Sequence, residues 1–161
     1  MAKPLANGFP IGAIMTSQAI ADEIKVGDHG TTFGGNPLAT RLAHHVFGRI
    51  SSPEMLKQIS KTSSLYQQNL NNYLSAYPDL VNSIRGRGLI LGIQLKSIGN
   101  HTPSDIANMV VTKTRQAGLL VITAGEGTIR LVPPLNIPED VASRGLEILG
   151  FAFQQVRQEI A

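Results

Sequence analysis

The sequence contains no cysteine and no long apolar run. Without cysteine, neither a disulfide nor a thiolate metal site can form. No apolar segment approaches the roughly 18 residues that a membrane-spanning helix needs. The first residues show neither the pattern of a secretory signal peptide nor that of an Arg-rich transit peptide. These absences argue against a disulfide-stabilised protein and against a membrane protein.

Charge is also scarce. Charged residues make up 16% of the 161 residues, and the net charge is +3. The basic residues form no cluster, so the sequence lacks the electrostatic footprint of a nucleic-acid-binding protein. The hydrophobic fraction of 42% is typical of a folded protein. Because the charged fraction is low for a free-standing domain, we expect part of the surface to be buried against other protein.

The first 50 residues alternate glycine-rich turns with short apolar segments. Residues 11–15 are an apolar run that predicts a buried strand, and residues 18–25 predict one or two helical turns. Asn36 followed by Pro37 is a helix-start signal. The apolar spacing after it predicts a helix over residues 37–50.

From residue 51 the pattern is that of a separate α/β unit, so we place a domain boundary near residue 50. Ser51, with Glu54 three residues later, is a second helix-start signal and predicts a long helix that ends before Pro78. The rest predicts a strand, a helix, two strands and a final helix, at residues 84–95, 102–118, 119–123, 128–132 and 138–160. This order predicts a small α+β sheet with helices on one side.

Lys3 is conspicuous because no other charge lies between it and Asp22. Scarce local charge favours the unprotonated amine, which can condense with an aldehyde to form a Schiff base. Gly8 and Gly12 allow a ligand to approach the backbone closely. The alternative is an ordinary solvated lysine, and residue chemistry alone leaves both interpretations open.

A glycine-rich loop at residues 27–35 precedes the predicted helix. Its backbone N–H groups and the hydroxyls of Thr31 and Thr32 are the groups that cradle a phosphate. In the alternative interpretation, the glycines only supply positive φ angles for a turn. Together with Lys3, the loop suggests an aldehyde cofactor that carries a phosphate.

Arg130 lies within an apolar strand segment. Burial of an arginine is costly unless an anion meets it, and the planar guanidinium suits a carboxylate. The alternative is an arginine on the outer face of a half-exposed strand. Arg85 and Arg87 alternate with glycine and could also bind anions, but they look more like charges at a strand edge.

Three segments resemble the class-III aminotransferases, which are pyridoxal 5'-phosphate enzymes of fold type I. They are residues 2–12 (AKPLANGFPIG), residues 27–39 (GDHGTTFGGNPLA) and residues 129–135 (IRLVPPL). The resemblance spans essentially the whole chain. Residues 29–37 are most similar to the members that act on N-acetylornithine, with the ornithine-specific members close behind.

The resemblance implies an α/β chain of the PLP-dependent transferase fold type I. It implies that Lys3 forms the Schiff base with the cofactor and that Thr32 binds the cofactor phosphate in the neighbouring subunit. Thr31 would contact the substrate there, and Arg130 would hold the substrate α-carboxylate. A homodimer follows, because Thr32 would serve the partner's site.

The implied activity is transfer of an amino group from N-acetylornithine, or ornithine, to 2-oxoglutarate in arginine biosynthesis. The implied compartment is the mitochondrial matrix in a eukaryote and otherwise the cytoplasm. Two alternatives remain open. One is a catalytically silent oligomerisation fragment, and the other is an ornithine or 4-aminobutyrate aminotransferase.

The sequence also departs from the family. Family members are considerably longer on the N-terminal side, where they carry a first phosphate loop, a ring-stacking aromatic residue and the acidic partner of the pyridine nitrogen. Met1 replaces the serine or threonine usual two positions before the lysine. We therefore expect residues 1–50 to be the C-terminal remnant of the large cofactor-binding domain and residues 51–161 to be the small C-terminal α+β domain. Alone, the chain should bind the cofactor poorly and have little activity.

Overall fold

The computed structural model describes residues 1–160, which form two compact units, Met1–Met55 and a second unit that begins at Leu56. Within residues 1–160, none of the helices combines the length and hydrophobicity that a membrane crossing requires. The elements in chain order are a 3₁₀ helix Lys3–Ala6, α1 Gln18–Ala21, α2 Pro37–Ile50, α3 Pro53–Ala76, β1 Val81–Arg87, β2 Ile90–Leu95, α4 Pro103–Gln116, β3 Ile122–Ala124, β4 Thr128–Leu131 and α5 Glu139–Ile160.

The first unit has a small core. Leu5 and Ala6 of the 3₁₀ helix pack against Ala43 of α2. The strand predicted over residues 11–15 is wrong, since this segment forms only a single antiparallel bridge, between Ala2 and Gly12. Its apolar side chains are not buried within this unit. An apolar run indicates that the side chains of a segment are buried by other residues, but it does not determine the backbone conformation.

Helix α2 has the bounds that the sequence predicts, Pro37–Ile50. The start of α3 differs by one residue from the predicted Ser51–Glu54 capping box. Ser52 Oγ accepts a capping hydrogen bond from the backbone N–H of Met55, three residues later, at 3.2 Å. Ser51 Oγ instead donates to the carbonyl oxygen of Phe47 at 2.7 Å, which closes the end of α2. The two adjacent serines thus serve two different helices.

The second unit contains a four-stranded antiparallel sheet with the order β1-β2-β4-β3. The single strand predicted over residues 84–95 is wrong, because the chain reverses after Arg87 to form the β1–β2 hairpin. Gly86 has a φ of +132°, and a Cβ there would lie 2.1 Å from the carbonyl oxygen of Ile90. Gly88, with a φ of +60°, lies in the turn itself. The glycines expected to mark a bulge therefore mark a hairpin.

One face of this sheet lies in the core. Alternating side chains of β2 and β4, such as Ile93 and Ile129, are fully buried with residues of α3, α4 and α5. Phe153 of α5 packs against the rings of Tyr73 and Tyr77, with centroids 5.7 and 5.9 Å away. The α+β architecture predicted for this unit is observed, with one strand more than expected.

Candidate active site

Lys3 has an unusual backbone. Its φ is +53°, in the left-handed region that residues other than glycine rarely adopt. Two backbone hydrogen bonds hold the segment, from Gly8 N–H to the Lys3 carbonyl at 3.2 Å and from Ala13 N–H to the Met1 carbonyl at 2.8 Å. The side chain is exposed and makes no hydrogen bond or salt bridge to residues 1–160. Strained backbone of this kind clusters at functional sites.

The loop at residues 27–35 is exposed and offers many free donors. The backbone N–H groups of residues 29–35 make no hydrogen bond of normal geometry with the described residues. The hydroxyls of Thr31 and Thr32 are exposed and likewise unbonded in that part of the chain. A Cβ at Gly34 would lie 2.2 Å from the Thr31 methyl group, so any larger residue there would displace the Thr31 side chain. The loop can therefore surround an anion with N–H and O–H donors.

The loop leads directly into α2, but the first N–H groups of this helix are already in use. Asn36 Oδ1 accepts hydrogen bonds from Leu38 N–H at 3.0 Å and from Ala39 N–H at 3.1 Å. An anion at this end of α2 would consequently be bound by the preceding loop, assisted by the positive end of the helix dipole.

Arg130 lies in β4 on the face of the sheet opposite to the core. Its neighbours Ile129 and Leu131 are buried, as the alternation of a strand requires, whereas Arg130 is exposed. Because Arg130 is exposed, the free-energy cost that the sequence predicts for a buried arginine does not arise. Within residues 1–160, no carboxylate lies within 4 Å of its guanidinium. Arg130 is thus free to bind an anion from solvent.

Residues 1–153 match the family described as aminotransferase class-III. The chain belongs to the class-III aminotransferases. Among curated relatives, it is 45% identical over 160 residues to the mitochondrial acetylornithine aminotransferase of Yarrowia lipolytica. That alignment covers 99% of this chain and 37% of the Yarrowia protein, so this class-III aminotransferase chain spans about a third of its relative's length. The predicted family is confirmed.

Solved structures agree with this assignment. An ornithine aminotransferase from Toxoplasma gondii, described with partial occupancy of PLP at its active site, superposes with a TM-score of 0.83 at 28% identity. The superposition covers 98% of this chain and 36% of the Toxoplasma chain. The acetylornithine aminotransferase of Elizabethkingia anophelis gives a TM-score of 0.79 at 30% identity, covering 94% of this chain and 37% of its own. The predicted fold of a type I aminotransferase is confirmed.

The residues predicted to form the site are distributed over both units of this class-III aminotransferase chain. Lys3, Thr31 and Thr32 belong to the first unit, where no hydrogen bond joins Lys3 to either threonine. Arg130 belongs to the second unit. In the second unit, the structure adds Arg85, which the sequence had suggested was a charge at a strand edge. Its guanidinium reaches across the sheet to Gln94 and to Thr128 on β4.

Proposed function

We propose that this chain is the C-terminal part of a pyridoxal 5'-phosphate-dependent acetylornithine aminotransferase. The enzyme moves the amino group of N-acetylornithine, or ornithine, to 2-oxoglutarate in arginine biosynthesis. The observation that carries the proposal is the free, exposed amine of Lys3 on a left-handed backbone, in a chain whose relatives are acetylornithine aminotransferases. Because these relatives are named as mitochondrial, we infer the mitochondrial matrix for this protein if its source is a eukaryote, and otherwise the cytoplasm.

The residues present fit pyridoxal 5'-phosphate, which has an aldehyde and a phosphate. Lys3 has an amine free to bond to the aldehyde carbon. Residues 29–35 have unbonded N–H donors suited to a phosphate. When bound, the cofactor withdraws electrons from the substrate Cα and so acidifies its proton. Lys3 Nζ would act as the base that takes this proton from the substrate Cα and as the acid that returns it to the former aldehyde carbon.

Thr32 is the proposed phosphate ligand, and Thr31 the proposed substrate contact. Their exposed and unbonded hydroxyls support these roles. We place both in the site of a neighbouring copy, which makes the functional protein a homodimer. The Thr31 methyl occupies the space that a Cβ at Gly34 would need.

Arg130 is the proposed ligand of the substrate α-carboxylate. Its guanidinium can donate two parallel hydrogen bonds to a carboxylate, which strengthens binding of the amino acid and also fixes its orientation. The exposed position on the open face of the sheet supports this role.

We further propose that residues 1–50 are a remnant of a large cofactor-binding domain and that residues 51–161 are a small C-terminal domain. The scarcity of buried side chains in the first unit supports the first assignment. Ornithine is the second candidate substrate, because the Toxoplasma structure with a TM-score of 0.83 is an ornithine aminotransferase.

Reductive trapping tests the role of Lys3. The chain is incubated with excess pyridoxal 5'-phosphate, reduced with borohydride and mapped by peptide mass spectrometry. Because the chain alone should bind the cofactor poorly, we expect only a weak visible absorbance band before reduction, with labelling of Lys3 in preference to the other lysines. Lys3→Ala should lose both signals, whereas Lys25→Ala, which removes another exposed lysine of the first unit, should keep them. Equal labelling of Lys3 and Lys25 would favour the silent oligomerisation fragment.

A further inference from the structure

Arg85 follows a path across the open face of the sheet. Its Nη2 donates to Gln94 Oε1 on β2 at 2.8 Å and to Thr128 Oγ1 on β4 at 3.2 Å. Gly92 lies beneath this path. A Cβ at that position would come within 3.1 Å of the Thr128 methyl and 4.0 Å of Arg85 Cγ. The arginine side chain therefore bridges three strands above Gly92, where a Cβ would crowd the Thr128 methyl and only touch Arg85.

The acceptors of Arg85 are themselves fixed. Thr128 Oγ1 donates to Gln94 Oε1 at 2.7 Å, and Gln94 Nε2 donates to the carbonyl oxygen of Glu126 at 2.8 Å. Thr128 is only 8% exposed. Connected hydrogen bonds of this kind strengthen one another and restrict the groups that take part. The guanidinium of Arg85 is thus held in one place although its residue is exposed.

That place is next to Arg130. Arg85 pairs with Gly92 across β1–β2, and Gly92 pairs with Arg130 across β2–β4, so the two arginines project from the same face. Thr128, which the Arg85 guanidinium contacts, precedes Arg130 by two residues on the same strand, so the Cα atoms of Thr128 and Arg130 lie about 7 Å apart. In the described part of the chain, no carboxylate within 4 Å neutralises Arg85, Arg87 or Arg130.

We propose that Arg85 is a positioning residue for the carboxylate site at Arg130. It occupies the space over Thr128, so Arg130 cannot fold back onto the sheet in that direction. Repulsion between the two like charges keeps the Arg130 side chain extended, and an anion bound by Arg130 is attracted by both. This inference rests on the proposed role of Arg130 as the α-carboxylate ligand.

The test uses glutarate as a probe, a dicarboxylate with no amino or oxo group. The 161-residue chain, with ¹⁵N-labelled arginine, is titrated with glutarate while the arginine Nε–H signals are followed by NMR. The Arg130 signal is assigned by its absence in Arg130→Lys. This measurement needs no cofactor and no turnover.

Arg85→Gln should weaken glutarate binding about fivefold, which corresponds to roughly 1 kcal/mol, the size of one ordinary hydrogen bond. Gln94→Leu keeps the charge of Arg85 but removes an acceptor, and should weaken binding about threefold. Arg87→Gln is the matched control, because it removes the same charge from the same face of β1, two residues away. It should change the affinity less than about twofold.

Equal weakening by Arg85→Gln and Arg87→Gln would overturn the inference, since net charge alone would then explain the effect. No weakening in Gln94→Leu would also overturn it. Arg85→Lys gives a second measurement should Arg85→Gln unfold, because it keeps the charge without the bridge, and it should bind like Gln94→Leu. If Arg130→Gln binds glutarate as well as the unmodified chain does, the role of Arg130 itself fails, and the positioning role fails with it.

Discussion

The two units differ in how they bury their apolar residues. The first unit buries four small or medium side chains, whereas it leaves several large ones exposed. These are Ile14, Met15, Val26 and Phe33, with exposed fractions of 88, 89, 109 and 82%. The second unit has a continuous core of side chains from three helices and the sheet. A core of that kind is what makes a unit stable by itself.

This difference separates two parts of the proposed chemistry. Lys3 and the proposed phosphate loop lie in the unit that lacks a substantial core, while Arg130, the proposed carboxylate ligand, lies in the unit that has one. Apolar exposure as extensive as that of the first unit marks a surface that other protein covers. We infer that the proposed cofactor-binding residues of the first unit depend on assembly, whereas the proposed carboxylate ligand is held by the second unit alone.

Phe153→Ala should give the largest effect, because it removes a fully buried ring from the core of the second unit. We expect a loss of about 3–5 kcal/mol in the free energy of unfolding, measured by urea denaturation followed by circular dichroism. Phe151→Ala is the matched control, two residues earlier on α5 and 56% exposed, and should cost less than about 1 kcal/mol. Similar losses in both variants would contradict the assignment of the core.

Alkaline pH should also distinguish the units, because all three tyrosines lie in the second. Burial raises the pKa of Tyr73 from 10.0 to about 12, and its hydroxyl donates to the carbonyl oxygen of Leu146. A raised pKa means that the stabilisation is present below pH 10 and is lost as the pH rises toward 12.

Melting temperatures measured at intervals above pH 10 should therefore fall, and should fall less steeply in Tyr73→Phe. Burial raises the pKa of Tyr66 as well, so part of the decline should remain in this variant. An identical pH dependence in Tyr73→Phe and the unmodified chain would count against the buried setting of Tyr73.

The smallest effect should come from the cap of α2 in the first unit. Asn36→Ala removes the acceptor of two backbone N–H groups and should destabilise this helix by about 1 kcal/mol. Amide exchange of Leu38 and Ala39 should accelerate accordingly. Asn71→Ala, at an exposed position in the last third of α3, removes an asparagine that caps no helix and should leave amide exchange in α3 unchanged or slower. Equal behaviour of the two variants would exclude a capping role for Asn36.

Local signals in the sequence were sufficient for most helices. Asn36–Pro37 marks the start of α2, and Thr102 forms the predicted start of α4. There the Thr102 backbone N–H donates to Asp105 Oδ2 at 2.9 Å, while Thr102 Oγ1 accepts from the Asp105 N–H at 3.2 Å. The Thr102 hydroxyl also donates to Asp105 Oδ2 at 2.6 Å, and this bond, followed by that from the Thr102 N–H, lowers the pKa of the Asp105 carboxyl. Both helix starts depend on hydrogen bonds between residues at most three positions apart, so the local sequence is sufficient to predict them.

Other features depend on residues far apart in the chain. The β1–β2 hairpin was predicted as one strand, because glycine in an apolar run indicates a bulge and a turn equally well. The bridge from Arg85 to Thr128 joins residues 43 positions apart and has no local signature. The roles of Lys3, Thr31, Thr32 and Arg130 came from the family resemblance, and they stay predictions.

The pairing of Gly92 with Arg130 has a consequence for how this sheet can diverge. Side chains alternate between the faces of a strand, so one residue inserted or deleted between Thr128 and Arg130 would turn the arginine toward the core. The β3–β4 turn, which contains Gly125, is the nearest point that can absorb a change of length. In homologues of this chain, we expect gaps to fall in the turn and the strand to keep its length.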